Sequence, residues 1–241
     1  MNMLAVERMK LLSIRSPWWC AGTAVALAVL FTGLSAMNSG SSGGMHLTGL
    51  ASGLQTSMVV VLALAALSVT SEYRFGTIRT TFQAVPNRSS VLFAKAGVVA
   101  ALGFVLGELA ALLSWAIALG VAPGPGLAVD DADAWRELLG AGPVFACAAV
   151  LAVGVGALLR QTAGAVTFLL IWTLLAENLI SAIPGFGSAV GDWLPFHVGM
   201  SFFRSAESGG PLGPWGSLAY FAAVAVAVLT VAAFVVRRRD A

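Results

Sequence analysis

Two acidic side chains lie inside long apolar runs of this sequence, and their type and position indicate chemistry. Glu108 falls near the middle of one run, and Glu177, followed by Asn178, falls toward the end of another. An ionisable side chain at membrane depth marks a functional site by default. On one interpretation the carboxylates line a translocation cavity, with Trp172 in the same wall, and meet a cationic or hydrogen-bonding substrate. On the other, each is protonated and hydrogen-bonded to a carbonyl or hydroxyl of a neighbouring helix.

Two glycines precede Glu108 at a spacing that bears on this choice. Gly103 and Gly107 are four residues apart. Small residues at this spacing allow two membrane helices to approach closely. The spacing therefore predicts that Glu108 is buried between helices.

A basic segment rich in aromatic residues, residues 71–90, separates two of the apolar runs. Its apolar side chains are potential anchors for a partner protein, and its arginines supply charge. The alternative to a docking surface is an ordinary positively charged loop beside a membrane. The candidate docking residues are Glu72, Tyr73, Arg74, Phe75, Gly76, Thr77, Ile78, Arg79 and Phe82.

The local structure of this loop can be predicted from its glycine and proline. Gly76 is where the preceding helix is expected to stop, because glycine accepts the left-handed cap conformation. A short transverse helix is then expected over Thr77 to Ala84. Pro86 ends it, since the residue before a proline avoids the helical region.

The composition requires these sites to be positioned by membrane helices. Of the 241 residues, 59% are hydrophobic and 10% are charged, whereas a soluble domain is about 25% charged. Crossing a bilayer takes about 20 apolar residues in a helix, and only helices satisfy their own backbone groups there. The six candidate spans are Pro17 to Met37, Leu50 to Thr70, Val91 to Val121, Ala141 to Leu159, Gly164 to Ile183 and Gly216 to Val236.

Charge predicts the orientation of the spans. When six helices are threaded alternately, all but two of the 13 lysines and arginines fall on one side. The two exceptions are Arg136 and Arg204. Positive loops stay in the cytoplasm, so both termini and the loop 71–90 are predicted to be cytoplasmic. The basic residues have a sufficient explanation in orientation and anionic lipid, and they do not indicate nucleic-acid binding.

The chain divides into an N-terminal helix on the cytoplasmic surface, residues 1–16, and a single transmembrane domain, residues 17–241, which ends in a basic tail, residues 237–241. On the outer side, Asp133 is expected to cap a short helix that runs to Leu139. The outer loop 184–215 is unusually apolar, which predicts short helices that re-enter the membrane or cap the bundle.

The loop residues also carry a resemblance to a known family. The run Glu72 to Arg79, then Pro86-Asn87-Arg88 and Lys95, resembles the first cytoplasmic loop of ABC-2 type transporter permeases, particularly actinobacterial ones. The six spans and the apolar outer loop before the last span are similar to that family too. The resemblance implies an all-α permease in a bacterial plasma membrane, which pairs with a second copy or a related permease. It also implies that Glu72 to Phe82 form a coupling helix seated in a separate ATPase subunit.

The chain carries no nucleotide site of the P-loop kind, which requires a lysine after a glycine-rich turn. Neither Lys10 nor Lys95 has that setting, so ATP and Mg²⁺ are expected on the partner. His46 and His197 lack the spacing of metal ligands. The expected function is export of a drug, antibiotic, peptide or lipid-like molecule. The alternative is an ion-coupled secondary transporter or a channel, and an intramembrane enzyme lacks paired catalytic groups.

Overall fold

The computed structural model describes residues 3–13, 15–39, 44–77, 88–203 and 212–238. These residues form helices joined by turns, with no strand among them. Six helical segments are long and apolar enough to cross a membrane. The chain is therefore an all-α polytopic membrane protein, which confirms the predicted fold class.

The helices follow the predicted spans closely and add short helices between them. The helices in chain order are α1 (Met3–Ser13), α2 (Arg15–Ser39), α3 (Ala51–Arg74), α4 (Arg88–Val121), α5 (Ala132–Leu139), α6 (Ala141–Leu159), α7 (Thr162–Ile171), α8 (Glu177–Ser181), α9 (Phe186–Val190), α10 (Pro195–Ser201) and α11 (Pro214–Arg238). The first, second, third, fourth and sixth spans are α2, α3, α4, α6 and α11. A π-helical turn, Trp172–Ala176, joins α7 to α8 within the fifth span.

Helix α6 is the centre of the bundle. Of its most apolar stretch, 72% is buried, compared with 22% for α2 and for the fifth span. Small residues let α4 approach it closely, because a Cβ on Gly107 would lie 2.8 Å from the carbonyl oxygen of Ala141 and one on Gly103 would lie 3.0 Å from that of Phe145. This confirms the close helix contact predicted from the glycine spacing.

Residues between the fifth and sixth spans cap one end of the bundle. Helix α10 and the residues after it bury aromatic and aliphatic side chains, among them Phe196, Met200 and Phe202. The guanidinium of Arg136 is buried and donates to the carbonyl oxygen of Phe202. It also donates to the carboxylate of Asp133, at 3.2 Å. The described part of the loop 184–215 thus forms short helices packed on the bundle, as its composition predicted.

The prediction for the cap of α5 was wrong by two residues. Asp131 is the N-cap, and its carboxylate accepts a hydrogen bond of 2.7 Å from the amide of Ala134. Asp133 lies inside the first turn and instead pairs with Arg136. With several aspartates in succession, composition does not identify which one has the extended backbone that a cap requires.

Candidate functional site

Four charged side chains meet at the base of the loop 71–90. Lys95, near the start of α4, donates to Glu7 at 2.5 Å and to Glu72 at 3.0 Å. Lys10 donates to the same two carboxylates, at 3.0 Å to Glu7 and 3.2 Å to Glu72. This loop-base cluster (Glu7, Lys10, Glu72 and Lys95) joins α1 to the last turn of α3 and to α4, the two helices that flank the loop. It contains both lysines of the chain.

The four charges of the cluster compensate one another, and all but Lys10 are shielded from water. Lys95 and Glu7 are each only 3% exposed. Burial alone would raise the pKa of the Glu7 carboxyl, but the ammonium groups of Lys95 and Lys10 outweigh it and hold that pKa below its usual range. For Lys10, burial favours the neutral amine, and the carboxylates of Glu7 and Glu72 reverse this, so its pKa is raised. Both groups are therefore ionised at neutral pH.

The loop leaves the bundle at a sharp turn. Helix α3 ends at Arg74, and Gly76 follows with φ +72°. This confirms the predicted left-handed stop, which only glycine adopts without strain. The side chain of Phe75 is 71% exposed, and the guanidinium of Arg74 lies 5.5 Å from its ring centre. An apolar ring and a basic group are thus presented together where the loop begins.

A second contact connects the same region to the end of α6, the central helix. The guanidinium of Arg160 lies over the ring of Tyr73, 5.1 Å from its centre. Arg160 itself has φ +55° and ends α6. The base of the loop is therefore tied to the central helix by a cation–π contact and to α1 and α4 by ion pairs.

The far part of the predicted docking surface lies outside the described residues. This applies to Ile78, Arg79 and Phe82, and to all of the predicted transverse helix except Thr77. Thr77 is exposed, and its hydroxyl donates to the carbonyl oxygen of Glu72 at 3.5 Å. The transverse helix and the role of these residues stay predictions.

Glu177 is the best-connected carboxylate in the spans. Its Oε1 accepts hydrogen bonds of 3.0 Å from the indole nitrogen of Trp172 and from the amide of Phe196, and its Oε2 accepts one of 2.8 Å from the amide of His197. The two amides belong to the first turn of α10, where backbone N–H groups have no partner within the helix. Glu177 therefore fastens the start of α10 to the fifth span. The π-helical turn lies directly before it, a feature often found at functional positions.

Glu108 likewise faces the start of a helix. Its Oε1 accepts a hydrogen bond of 3.2 Å from the amide of Gly142, in the first turn of α6. The site needs a glycine, because a Cβ on Gly142 would lie 2.2 Å from that oxygen. Its Oε2 is buried and has no hydrogen-bond donor among the described residues. Glu108 thus lies where α4 meets α6 but is only half-buried, whereas the glycine spacing predicted burial between helices.

The four candidate pathway residues do not form one group in the described structure. Glu177 and Trp172 are bonded to each other, whereas Glu108 is bonded to a different helix. Asn178 is exposed, and its amide donates to the carbonyl oxygen of Leu174 in its own helix. A substrate pathway along these residues stays a prediction. The hydrogen bonds found for both glutamates are those of carboxylates that hold helix starts in place.

Comparison with known proteins does not indicate a family for this chain. The chain matches no protein-family model and no curated protein. The function therefore has to be argued from the loop-base cluster and the bundle.

Sequence reasoning missed Glu7 and Lys10 as site residues and used Lys95 only as part of a resemblance. Glu7 and Lys10 are three residues apart, a spacing that allows pairing within a helix, but their other partners lie 62 and 88 residues away, where no short-range spacing rule applies. One signal was present: both lysines and two of the six glutamates of the chain lie in segments predicted for the same side of the membrane.

Proposed function

We propose that this protein is the transmembrane subunit of an ABC-2 type exporter in a bacterial plasma membrane. It works with a second permease, identical or related, and the loop 71–90 receives force from a separate cytoplasmic ATPase. ATP and Mg²⁺ belong to that partner. Cargo then moves through alternating inward-open and outward-open states, which exchange because the nucleotide-bound ATPase favours one of them.

The observation that carries this proposal is the loop-base cluster. A loop that merely connects two helices has no need of buried ion pairs, which cost solvation energy. A loop that transmits force needs a rigid base, and here Lys95 and Glu72 lock the two flanking helices to each other and to α1. Movement of the loop would therefore shift α1, α3 and α4 together.

The exposed part of the loop supports a protein partner on the same side. Phe75 and Arg74 offer an aromatic ring and a charge outside the bundle. Aromatic and arginine side chains are enriched among residues that dominate protein–protein binding energy. The sequence continues this pattern in Arg79 and Phe82.

The test is co-purification from membranes of the native host. The wild-type protein is expected to bring down a P-loop ATPase that mass spectrometry identifies, and Arg79→Glu or Phe82→Ala should each remove it. Arg237→Glu is the matched control, because it makes the same charge change on the same predicted side, in α11. Thermal melting of each variant shows whether the bundle is intact. ATPase binding that survives both loop changes would contradict the proposal.

Transport measurements separate this function from an ion-coupled transporter. In sealed vesicles that contain the permease and its ATPase, export is expected only with ATP and Mg²⁺ inside the compartment that holds the ATPase. Export driven by an ion gradient without ATP would instead favour the secondary transporter.

A further inference from the structure

A cavity of about 560 Å³ lies beside the loop-base cluster, between the α1–α2 elbow, α3 and the start of α4. This volume falls in the range of sites for small molecules, about 300–1,000 Å³. Its walls change character along its length. Leu64 and Leu67 line it on the membrane side, whereas Ser68, Ser71 and Lys10 line it toward the loop. A ligand that fits both ends must itself be apolar at one end and polar at the other.

The cavity lies at the level where a membrane meets water. Pro17 and Cys20 form part of its wall, and between them in the sequence stand Trp18 and Trp19, which are 61% and 76% exposed. Tryptophan side chains are enriched at membrane interfaces. Lipid molecules place their head groups at this same depth, so a lipid has direct access to the cavity.

Lys10, Lys95 and Glu72 of the cluster line the cavity, and the exposed charges on α1 and at the start of α2 are positive. The acidic members of the cluster are shielded, with 4% of the Glu7 side chain and 12% of the Glu72 side chain exposed. The Lys10 side chain is 36% exposed and lines the cavity, and Arg8 and Arg15 are exposed on α1 and at the start of α2. Basic groups at a membrane surface attract anionic lipids by about 1 kcal/mol each.

We propose that this cavity binds an anionic phospholipid. The phosphate and its hydrogen-bond acceptors lie among Lys10 and the hydroxyls of Ser13 and Ser16, which also line the cavity. An acyl chain lies against Leu64 and Leu67 of α3. The bound lipid connects α1 to α3 beside the ion pairs. The cavity shares Glu72, Phe75 and Thr77 with the proposed ATPase-coupling residues, but lipid binding does not require an ATPase.

Cys20 provides a direct probe of occupancy, because it lines the cavity and is a free thiol. In a Cys147→Ser background it becomes the only cysteine of the chain. The rate at which a maleimide labels Cys20 is measured in nanodiscs of phosphatidylglycerol or phosphatidylcholine with identical chains. No ATPase or nucleotide is present, so the result is independent of the proposed function.

Labelling is expected to be slower in phosphatidylglycerol. A lipid at ten times its dissociation constant leaves about one cavity in ten open and slows labelling about tenfold. Native mass spectrometry should find a retained phosphatidylglycerol molecule. In phosphatidylcholine discs, added glycerol phosphate tests whether a head group alone is enough, and it is expected to give no protection.

A filled cavity should lose the difference between lipids. Ser68→Phe places a ring in the cavity, at a half-buried position whose hydroxyl bonds only to the carbonyl oxygen of Ala65 in its own helix. Ser52→Phe is the matched control, since Ser52 is exposed near the other end of the same helix. The proposal is overturned by equal labelling in both lipids, by full protection with glycerol phosphate, or by a Ser68→Phe protein that keeps the wild-type lipid dependence.

Discussion

Lys95 Nζ lies 2.5 Å from Glu7 Oε2, although 88 residues separate them in the sequence. This contact fixes α1 against α4, beside the point where α3 leads into the loop 71–90. Because both side chains are buried, the pair depends on each partner being present: a carboxylate or ammonium left alone there would keep only part of its charge compensation, from Lys10 or Glu72.

Removal of Lys95 is expected to destabilise the bundle more than removal of the whole pair. Lys95→Met leaves Glu7 and Glu72 with only the more exposed Lys10 as a shared cation, and breaking a buried pair costs about 3–5 kcal/mol. Adding Glu7→Gln should recover part of that loss, because one of the two carboxylate charges disappears. Reversible unfolding in mixed micelles measures both free energies. Losses that simply add would contradict the coupling.

Docking of α1 should depend on pH at both extremes. The pKa of Glu7 is held low in the folded protein by Lys95 and Lys10 against the opposing effect of burial. Its contribution to stability is therefore present above the unfolded carboxyl pKa of about 4.3 and is lost as the pH falls through the lower folded value. The pKa of Lys10 is raised, so its contribution is present below about pH 10.4 and is lost above it.

Spin labels at Met9 and Phe93 measure this docking, since both positions are exposed on α1 and α4. The distance is expected to stay constant from about pH 5 to pH 10 and to broaden in acid. Glu7→Gln should remove the acid transition. An acid transition of unchanged midpoint in that variant would assign it to another group.

Glu177→Gln is expected to loosen the start of α10. An amide offers one acceptor oxygen where the carboxylate offers two, so at least one of the three N–H donors loses its partner, at a cost of about 1–3 kcal/mol. Hydrogen exchange at the amides of Phe196 and His197 should accelerate about tenfold for each 1.4 kcal/mol. Asn178→Ala is the control, because that side chain bonds only within its own helix. Unchanged exchange in Glu177→Gln would show that the cap does not depend on the carboxylate.

Two glycines of α4 are expected to differ sharply when each is replaced by alanine. At Gly107 the new Cβ would lie 2.8 Å from a backbone oxygen of α6 and 2.9 Å from Cγ of Phe145, and overpacking costs about 1–3 kcal/mol. At Gly120 no atom lies within 4 Å, so alanine there should be neutral or slightly stabilising. Thermal melting of both variants checks this. Equal effects would mean that α4 and α6 are less closely packed than the structure indicates.

Much of this fold follows from local rules that the sequence states directly. The spans were predictable because length and apolar content determine them, and the end of α3 was predictable because Gly76 is suited to a left-handed turn. The contact of α4 with α6 followed from Gly103 and Gly107. Each of these inferences needs only residues within one or two helical turns.

The partners of the charged residues were not predictable in the same way. The ion pairs of Glu7 and the hydrogen bonds from α10 to Glu177 depend on how separate segments pack. The π-helical turn before Glu177 contains no glycine or proline that would have predicted it. The sequence did not indicate that backbone N–H groups of helix starts would be the hydrogen-bond donors to Glu108 and Glu177.

The long sequence separation within the loop-base cluster also constrains how the protein is made. Glu7 leaves the ribosome well before Glu72 and Lys95, so α1 cannot take up its final place until the third span has entered the membrane. Until then its charged face is available to chaperones or to lipid head groups. The ion pairs of α1 with Glu72 and Lys95 can therefore form only after the start of the third span has been synthesised.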